Sequence, residues 1–445
     1  AAALIGVIDA LNHYTRDVVG ALEVPLQEPV LKNGLGLAAN EYGLLSTFYF
    51  TPNAVMPLLA GCYAQIAGPT HCLIVFGLLA SIGCALMLVS VSIPHYPLLR
   101  PLLLTGRVIA GISYEPLDFI WVPVFAPLFP NQFMTVSSLI NAAQRAGSLL
   151  AFAVSPVISE SAGPRTALAL PCMLGSFLLV PALAAARAAR AAASATQPSA
   201  YAGAVPFVCS IRQLPHLLRA FDRVYWLFLL SACMLYGLSI TVADQLVLLP
   251  EFSILIGSPV VGALLERWKL SLHQRARLLA VTQFVLAASF AALASAACRP
   301  LAPVAVLGIS WAVAHTCMWG SAKDVFPERY IAVSSGLAGA SLNVGPAMLP
   351  LLFAPWAGKN GSLVILVLAG FAASASASFF ALSQVLPHKQ TANAESMEVR
   401  CFAPVNDVEC ASRILPHAEG IDEQGQSSKK IMLDPELDAL AQSHR

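Results

Sequence analysis

Apolar runs of about 20 residues recur along the chain from residue 1 to residue 386, separated by short polar breaks. A helix of that length crosses a hydrocarbon layer of about 30 Å. The pattern predicts twelve spans, at roughly 1–25, 42–66, 70–92, 97–127, 133–158, 166–187, 223–249, 251–266, 277–298, 301–325, 330–356 and 361–386. The longest polar gap before the tail, 188–222, is an Ala/Ser/Pro-containing stretch with several Arg residues, and it reads as a linker dividing the spans six and six. The expected plan is an N-terminal six-helix bundle (1–187), a linker (188–222), a C-terminal six-helix bundle (223–386) and a polar, disordered tail (387–445). One span departs from it. The eighth, Glu251–Glu266, has only 16 residues and would form a shortened helix of about 24 Å.

The two groups of spans also repeat. Phe129–Ser138 (FPNQFMTVSS) recurs as Phe326–Ser335 (FPERYIAVSS), 197 residues later, with five of ten positions identical. Both copies fall at the turn between the fourth and fifth spans of their group. A duplicated six-span unit predicts a transporter whose halves rock about a site near the midplane. Cations gather in the linker and in the 8–9 loop (Arg267, Lys269, Arg275, Arg277), which predicts that linker, tail and N-terminus face the cytoplasm. Ala1 already lies inside an apolar run, so the natural N-terminus is expected further upstream.

Composition agrees with this plan: 57% of the 445 residues are hydrophobic and 11% charged, where a soluble domain has about 25% charged residues. Mean hydropathy is +0.72. The net charge of +1 hides an acidic tail, with ten acidic and six basic residues, behind a basic membrane body, and so carries no implication of nucleic-acid binding. The ten cysteines are scattered through apolar runs without metal-ligand spacing. No G-x-S-x-G, H-E-x-x-H or phosphate-loop pattern occurs, so neither an enzyme nor an ATP-driven pump is indicated, and no cofactor is expected.

Against this apolar background a few charges stand out. Glu115 and Arg145 lie near the middles of the fourth and fifth spans, where a charge costs about 2.5–3.5 kcal/mol on insertion scales. Arg offers a planar fork that matches a carboxylate, and Glu accepts from an ammonium group. A dipeptide separates those two charges by about 7 Å. The pair therefore reads as two poles for a small zwitterion, or alternatively as a direct ion pair locking adjacent helices.

The first span carries Asp9, His13 and Asp17 at i, i+4, i+8, on one helical face. These residues line a cavity with His13 as a proton carrier, or else they are satisfied locally as Asp17–Arg16 and Asp9–His13 pairs. Asp118, one turn from Glu115, is either a second proton or cation site or a supporting residue. Arg107, with Gly111 four residues on, reads as positioning the fourth helix. Tyr49, Tyr114, Gln144, Tyr236, Trp319 and Asn343 are polar or aromatic at mid-span depth and are further candidates for lining the site, although packing alone would also place them there. Pro52-Asn53 predicts a kink in the second span. The copy of the repeat in the later spans has no cation matching Arg145. The charged site is therefore expected to belong to the early spans, with the later ones supplying shape and aromatic closure.

With these marks the chain resembles the major facilitator superfamily over residues 1–386. Supporting marks are the six-plus-six plan, Arg107-x3-Gly111, the loop pattern Gly61-x3-Gln65-x2-Gly68 and its counterpart Gly262-x3-Glu266-Arg267. Gln65 stands where the family loop carries an Asp, which puts the gating latch of the early half in question. Within the superfamily the chain is most similar to the lysosomal dipeptide uniporter group, through Asp17-x4-Leu22, Pro52-Asn53-x-Val55, Gly111-x3-Glu115-x-Leu117, Arg145-x-Gly147-Ser148, Tyr236, Pro327-Glu328 and Asn343-x-Gly345. The resemblance implies Glu115 for the amino end of a dipeptide and Arg145 for its carboxylate. It also implies facilitated export in a lysosomal or other endomembrane, with the plasma membrane as the alternative, and a glycosylated accessory membrane subunit.

Overall fold

A backbone in hydrocarbon has no water to satisfy its amides, so each crossing must close its own hydrogen bonds as a helix. The computed structural model follows this rule and describes residues 1–30, 34–93, 96–196, 214, 218–219, 221–237, 248–295, 300–357 and 361–386. Every long element among the described residues is helical. The first span is Ala2–Ala21, and the second is broken into Ala39–Asn53 and Met56–Ala67. The third and fourth are Pro69–Ser92 and Tyr96–Leu128. The fifth runs from Phe133 to Ala162 with a π turn at Leu150–Val154, and the sixth comprises Pro164–Gly175 and Leu179–Thr196. The later spans are Arg223–Gly237, Leu248–Trp268, Leu272–Ala294, Leu301–Gly320 with Ala322–Val325, Ile331–Ala357 and Gly361–Val385.

Among the described residues, seven helices are long and apolar enough to cross a membrane by themselves. The first span falls short because Asp9, Arg16 and Asp17 interrupt it, and the second because its helix breaks after Asn53. That break is the kink predicted from Pro52. The Val55 amide turns back to the Pro52 carbonyl at 3.0 Å, and a new helix starts at Met56.

Three extents differ from the sequence reading, one being the ninth span, Leu272–Ala294, which takes in Arg275 and Arg277 from the predicted 8–9 loop. The eighth span is Leu248–Trp268, 21 residues and about 31 Å long, so it is not shortened. Glu251, the first residue of the predicted span, lies inside the first turn, where the helix N-terminus favours an acid, and the helix runs past Glu266 to Trp268. The sixth helix continues to Thr196, into the predicted linker, as its Ala-rich sequence favours. Part of that linker, the connection between the seventh and eighth spans, and the tail from 387 lie outside the described residues.

Gly68 (φ +86°) and Gly163 (φ +88°) make the turns into the third and sixth spans, each followed by a proline at the first helical position. A side chain would strain that left-handed backbone, and proline suits a helix start. Ser271 and Gln274 cap the ninth span reciprocally, at 3.3 and 2.9 Å.

The early and late spans meet along two seams: the second span packs on the eleventh, and the fifth on the eighth and tenth. Toward the end that carries residues 129–132 and 269–271, called here the linker end, this contact is very close. A Cβ on Gly61 would come within 2.5 Å of the Ala332 carbonyl oxygen, and one on Gly262 within 2.2 Å of the Ser138 hydroxyl. The contacts are reciprocal: each glycine belongs to one copy of the loop pattern and packs on the opposite copy of the ten-residue repeat. Glu266 accepts from the Thr135 amide at 3.2 Å and from its hydroxyl, while Lys323 donates to the Pro130 carbonyl. Trp319 packs against Phe119 at a tilt and against Trp121 edge-on, with ring centroids 5.2 and 6.0 Å away. Arg267, beside Glu266, is exposed.

Candidate functional site

The first, fourth and fifth spans bring their charges together because the first and fifth pack at backbone distance. A Cβ on Gly147 would lie 2.0 Å from the Ala10 carbonyl oxygen, so only glycine permits that approach. It sets Arg145 and Ser148 beside His13 and Asp17. Gly111 does the same for the fourth and second spans, where a Cβ would lie 2.4 Å from the Tyr49 carbonyl oxygen.

A polar chain results. Ser148 donates to Asp17 Oδ2 at 2.6 Å, and Arg16 donates to both Asp17 oxygens at 2.6 and 3.1 Å. Arg16 Nη2 also lies 2.8 Å from His13 Nδ1, and His13 Nε2 lies 3.2 Å from Asp118 Oδ2. A guanidinium can only donate, so Nδ1 accepts and Nε2 carries the proton toward Asp118. Asn12 donates to Asp118 at 3.2 Å, and Gln144 donates to Asp9 at 3.4 Å. The Arg16–Asp17 pair expected on the first span is present. The Asp9–His13 pair is not, because His13 turns to the fourth span and Asp9 to the fifth.

Glu115 and Arg145 are both buried, at 5% and 9% exposure, and they do not bond to each other. Glu115 accepts from Asn343 of the eleventh span at 3.1 Å and from Asn53 of the second at 3.5 Å. Arg145 Nη1 donates to both oxygens of Glu251 in the eighth span, at 3.1 and 3.3 Å. The expectation that the later spans supply only shape and aromatic closure is therefore corrected: the eighth contributes a carboxylate to the charged cluster. Sequence reasoning passed over Glu251 as a helix boundary and Asn53 as a kink residue. The available signal was the same for both, a polar group inside an apolar run.

Arg107 stands apart from this chain. Its guanidinium donates to the carbonyls of Leu45 and Thr15, both at 3.3 Å, and lies over the Tyr49 ring at 4.5 Å. It ties the fourth span to the first two. Tyr49 and Tyr114, with ring centroids 6.1 Å apart, are fully buried in this packing, and Tyr114 contacts the Cys84 thiol. Trp319 lies in the linker-end aromatic stack. Tyr236 belongs to the seventh helix by its backbone, but its side chain is outside the described residues.

At the end remote from the linker, a cavity of about 260 Å³ is lined by Gly20 and Ala21 of the first span, Glu23, Val24 and Pro25 just after it, Phe152 and Pro156 of the fifth and Leu248 of the eighth. Pro156 has no amide to bond four residues back, and the fifth helix widens into its π turn just before it. Among the described residues no group of His, Cys, Asp or Glu side chains has the arrangement of a metal site.

Comparison with known proteins agrees with this architecture. No curated protein sequence matches the chain significantly. Among solved structures, a bacterial homologue of the iron transporter ferroportin, in an outward-facing state, is similar at a TM-score of 0.65 and 13% identity, over 86% of this chain and 99% of its own. The human organic anion transporter MFSD10 is similar at a TM-score of 0.60 and 14% identity, over 85% and 98%. The fucose:proton symporter FucP of E. coli gives 0.59 and 14%, over 86% and 97%. At such identities the likeness is one of fold. The sequence profile of the Major Facilitator Superfamily matches residues 18–350, well over half the chain. The chain is a member of the Major Facilitator Superfamily of membrane transporters.

Proposed function

We propose that the chain is a facilitative transporter that moves small zwitterions, dipeptides foremost, by alternating access. Glu115 takes the ammonium end and Arg145 the carboxylate end. The observation that carries this reading is that these opposite charges, on successive spans, are not paired together. Each is held by a residue of the later spans, Glu115 by Asn343 and Arg145 by Glu251. They form two separate poles on the seams between early and late spans. Asp118, three residues from Glu115, makes that pole acid-rich and suited to an ammonium group.

Leaving one buried charge without its partner costs about 3–5 kcal/mol. A ligand that carries both charges can replace both partnerships at once, so a zwitterion crosses this barrier more readily than either ion alone. Residues 1–187 and 223–386 then rock as two bodies about the seams, with the linker end closed in one state and open in the other. On the resemblance noted above, the proposal extends to an endomembrane compartment where proteolysis supplies dipeptides, and to a glycosylated accessory subunit.

The test is dipeptide flux into proteoliposomes, with binding followed by thermal shift. Flux should follow the dipeptide gradient alone and ignore a pH gradient. Arg145→Lys, which keeps charge but loses the fork, should weaken binding by about tenfold or more. Normal transport by both Arg145→Lys and Glu115→Gln would overturn the site. Organic anion uptake driven by a pH gradient would instead support a proton-coupled transporter with Glu115 or Asp118 as the proton carrier. Ligand binding without flux would indicate a receptor or scaffold.

A further inference from the structure

The Arg145–Glu251 contact uses only part of the guanidinium. Nη1 serves both carboxylate oxygens, while Nε, in a residue 9% exposed, has no hydrogen-bond partner among the described residues. A buried donor without an acceptor is a cost that a native site rarely carries without reason. Arginine binds a carboxylate best through two parallel N–H groups. Glu251 does not hold it in that way, so a second carboxylate could do better than Glu251 does.

The cavity remote from the linker lies on the same three spans, with Glu23 also at its wall. Three helices wall it, and each carries a polar residue of the cluster about one turn deeper. Asp17 lies below Gly20 and Ala21, Ser148 below Phe152, and Glu251 below Leu248. The side chains at that depth are those already bonded together, Ser148 to Asp17 and Arg145 to Glu251. Its volume of about 260 Å³ is just under the ~300–1,000 Å³ typical for drug-sized ligands and suits something smaller.

We infer that Glu251 is an internal competitor for the Arg145 guanidinium, displaced when the carboxylate of a substrate takes the fork. This rests on the reading of Arg145 as the carboxylate pole and adds to it a residue that sets affinity and selectivity. Ligands without a carboxylate cannot displace Glu251, and the site discriminates against them. The bond broken is an ion pair that crosses from the fifth span to the eighth, so ligand capture also loosens that seam.

The experiment compares binding of an alanyl dipeptide and its C-terminal amide to purified full-length protein carrying Glu251→Gln, Glu251→Asp or Arg145→Ala. Removing the competitor should tighten the acid dipeptide by about tenfold and leave the amide unchanged, while Glu251→Asp falls between. A role confined to stability would instead lower the melting temperature and leave the acid-to-amide ratio as in the wild type. Unchanged or weaker acid binding by Glu251→Gln, with binding still abolished by Arg145→Ala, overturns the competitor and spares the site. Wild-type acid binding by Arg145→Ala overturns the site and the competitor together. If Glu251→Gln does not fold, Glu251→Asp decides alone: tightening supports the competitor, and an unchanged ratio overturns it.

Discussion

Asn343 of the eleventh span donates one amide hydrogen to Glu115 of the fourth at 3.1 Å and another to its own Gly339 carbonyl at 2.9 Å. The second bond fixes the amide rotamer, so the first is aimed at Glu115 before any ligand arrives. It joins residues 228 positions apart and spans the boundary between early and late helices.

Asn343→Leu should therefore leave Glu115 with only the longer contact to Asn53 and weaken zwitterion binding. Asn343→Asp should weaken it further or stabilise a protonated form, because a second carboxylate faces the first. Isothermal titration with a dipeptide reads both. Equal affinity in the two variants and the wild type would remove Asn343 from the site.

Among the described residues Arg107 bonds to backbone carbonyls and lies over a ring, so its role is to hold helices. Arg107→Ala removes two hydrogen bonds from a charged donor, each worth about 1.5–3 kcal/mol. The melting temperature should fall sharply, and dipeptide should still raise the melting temperature of whatever protein folds. Loss of ligand stabilisation at an unchanged melting temperature would make Arg107 a ligand instead.

Two glycines of the second span should respond oppositely. A Cβ at Gly61 meets the Ala332 carbonyl oxygen at 2.5 Å, whereas one at Gly43 meets nothing within 4 Å. Gly61→Ala should prop the linker end apart and shift the protein toward the state open there, read as faster labelling of a cysteine introduced in that seam. Gly43→Ala should be neutral or stabilising by about 0.5–1 kcal/mol, as alanine is in a helix. Equal labelling by both would mean that the linker end does not depend on this contact.

Trp319 closes the same end by stacking on Phe119 and Trp121. Trp319→Ala should cost about 3–5 kcal/mol of stability, as for other buried aromatic truncations, with Trp319→Phe losing much less. A thermal melt distinguishes them. A small effect of the alanine variant would show that the stack is not a structural plug.

Much of the architecture was legible in one dimension because the bilayer leaves the backbone little choice. Apolar runs had to be helices, so the order of spans and the Pro52 kink followed from hydropathy and proline chemistry alone. Where a charge punctuated a run, the same logic misled: hydropathy alone starts the eighth span at Glu251, and the helix begins earlier, at Leu248. The ten-residue repeat was visible as a pattern, but its physical sense was not. Only the packing shows that each copy receives the loop glycine of the other group of spans, Ser138 against Gly262 and Ala332 against Gly61.

The sequence by itself determined which residues are charged, that Glu115 and Arg145 sit at mid-span depth, and that Asp9, His13 and Asp17 share a helix face. Tertiary structure alone decided their partners: Asn343 for Glu115, Glu251 for Arg145, Asp118 for His13. A hydrogen bond depends on the rotation and register of two helices that meet, and residues 106 or 228 positions apart carry no mutual register in a linear pattern. Small residues set that register here. Gly147 against Ala10 brings the fifth span close enough to the first for Ser148 to reach Asp17.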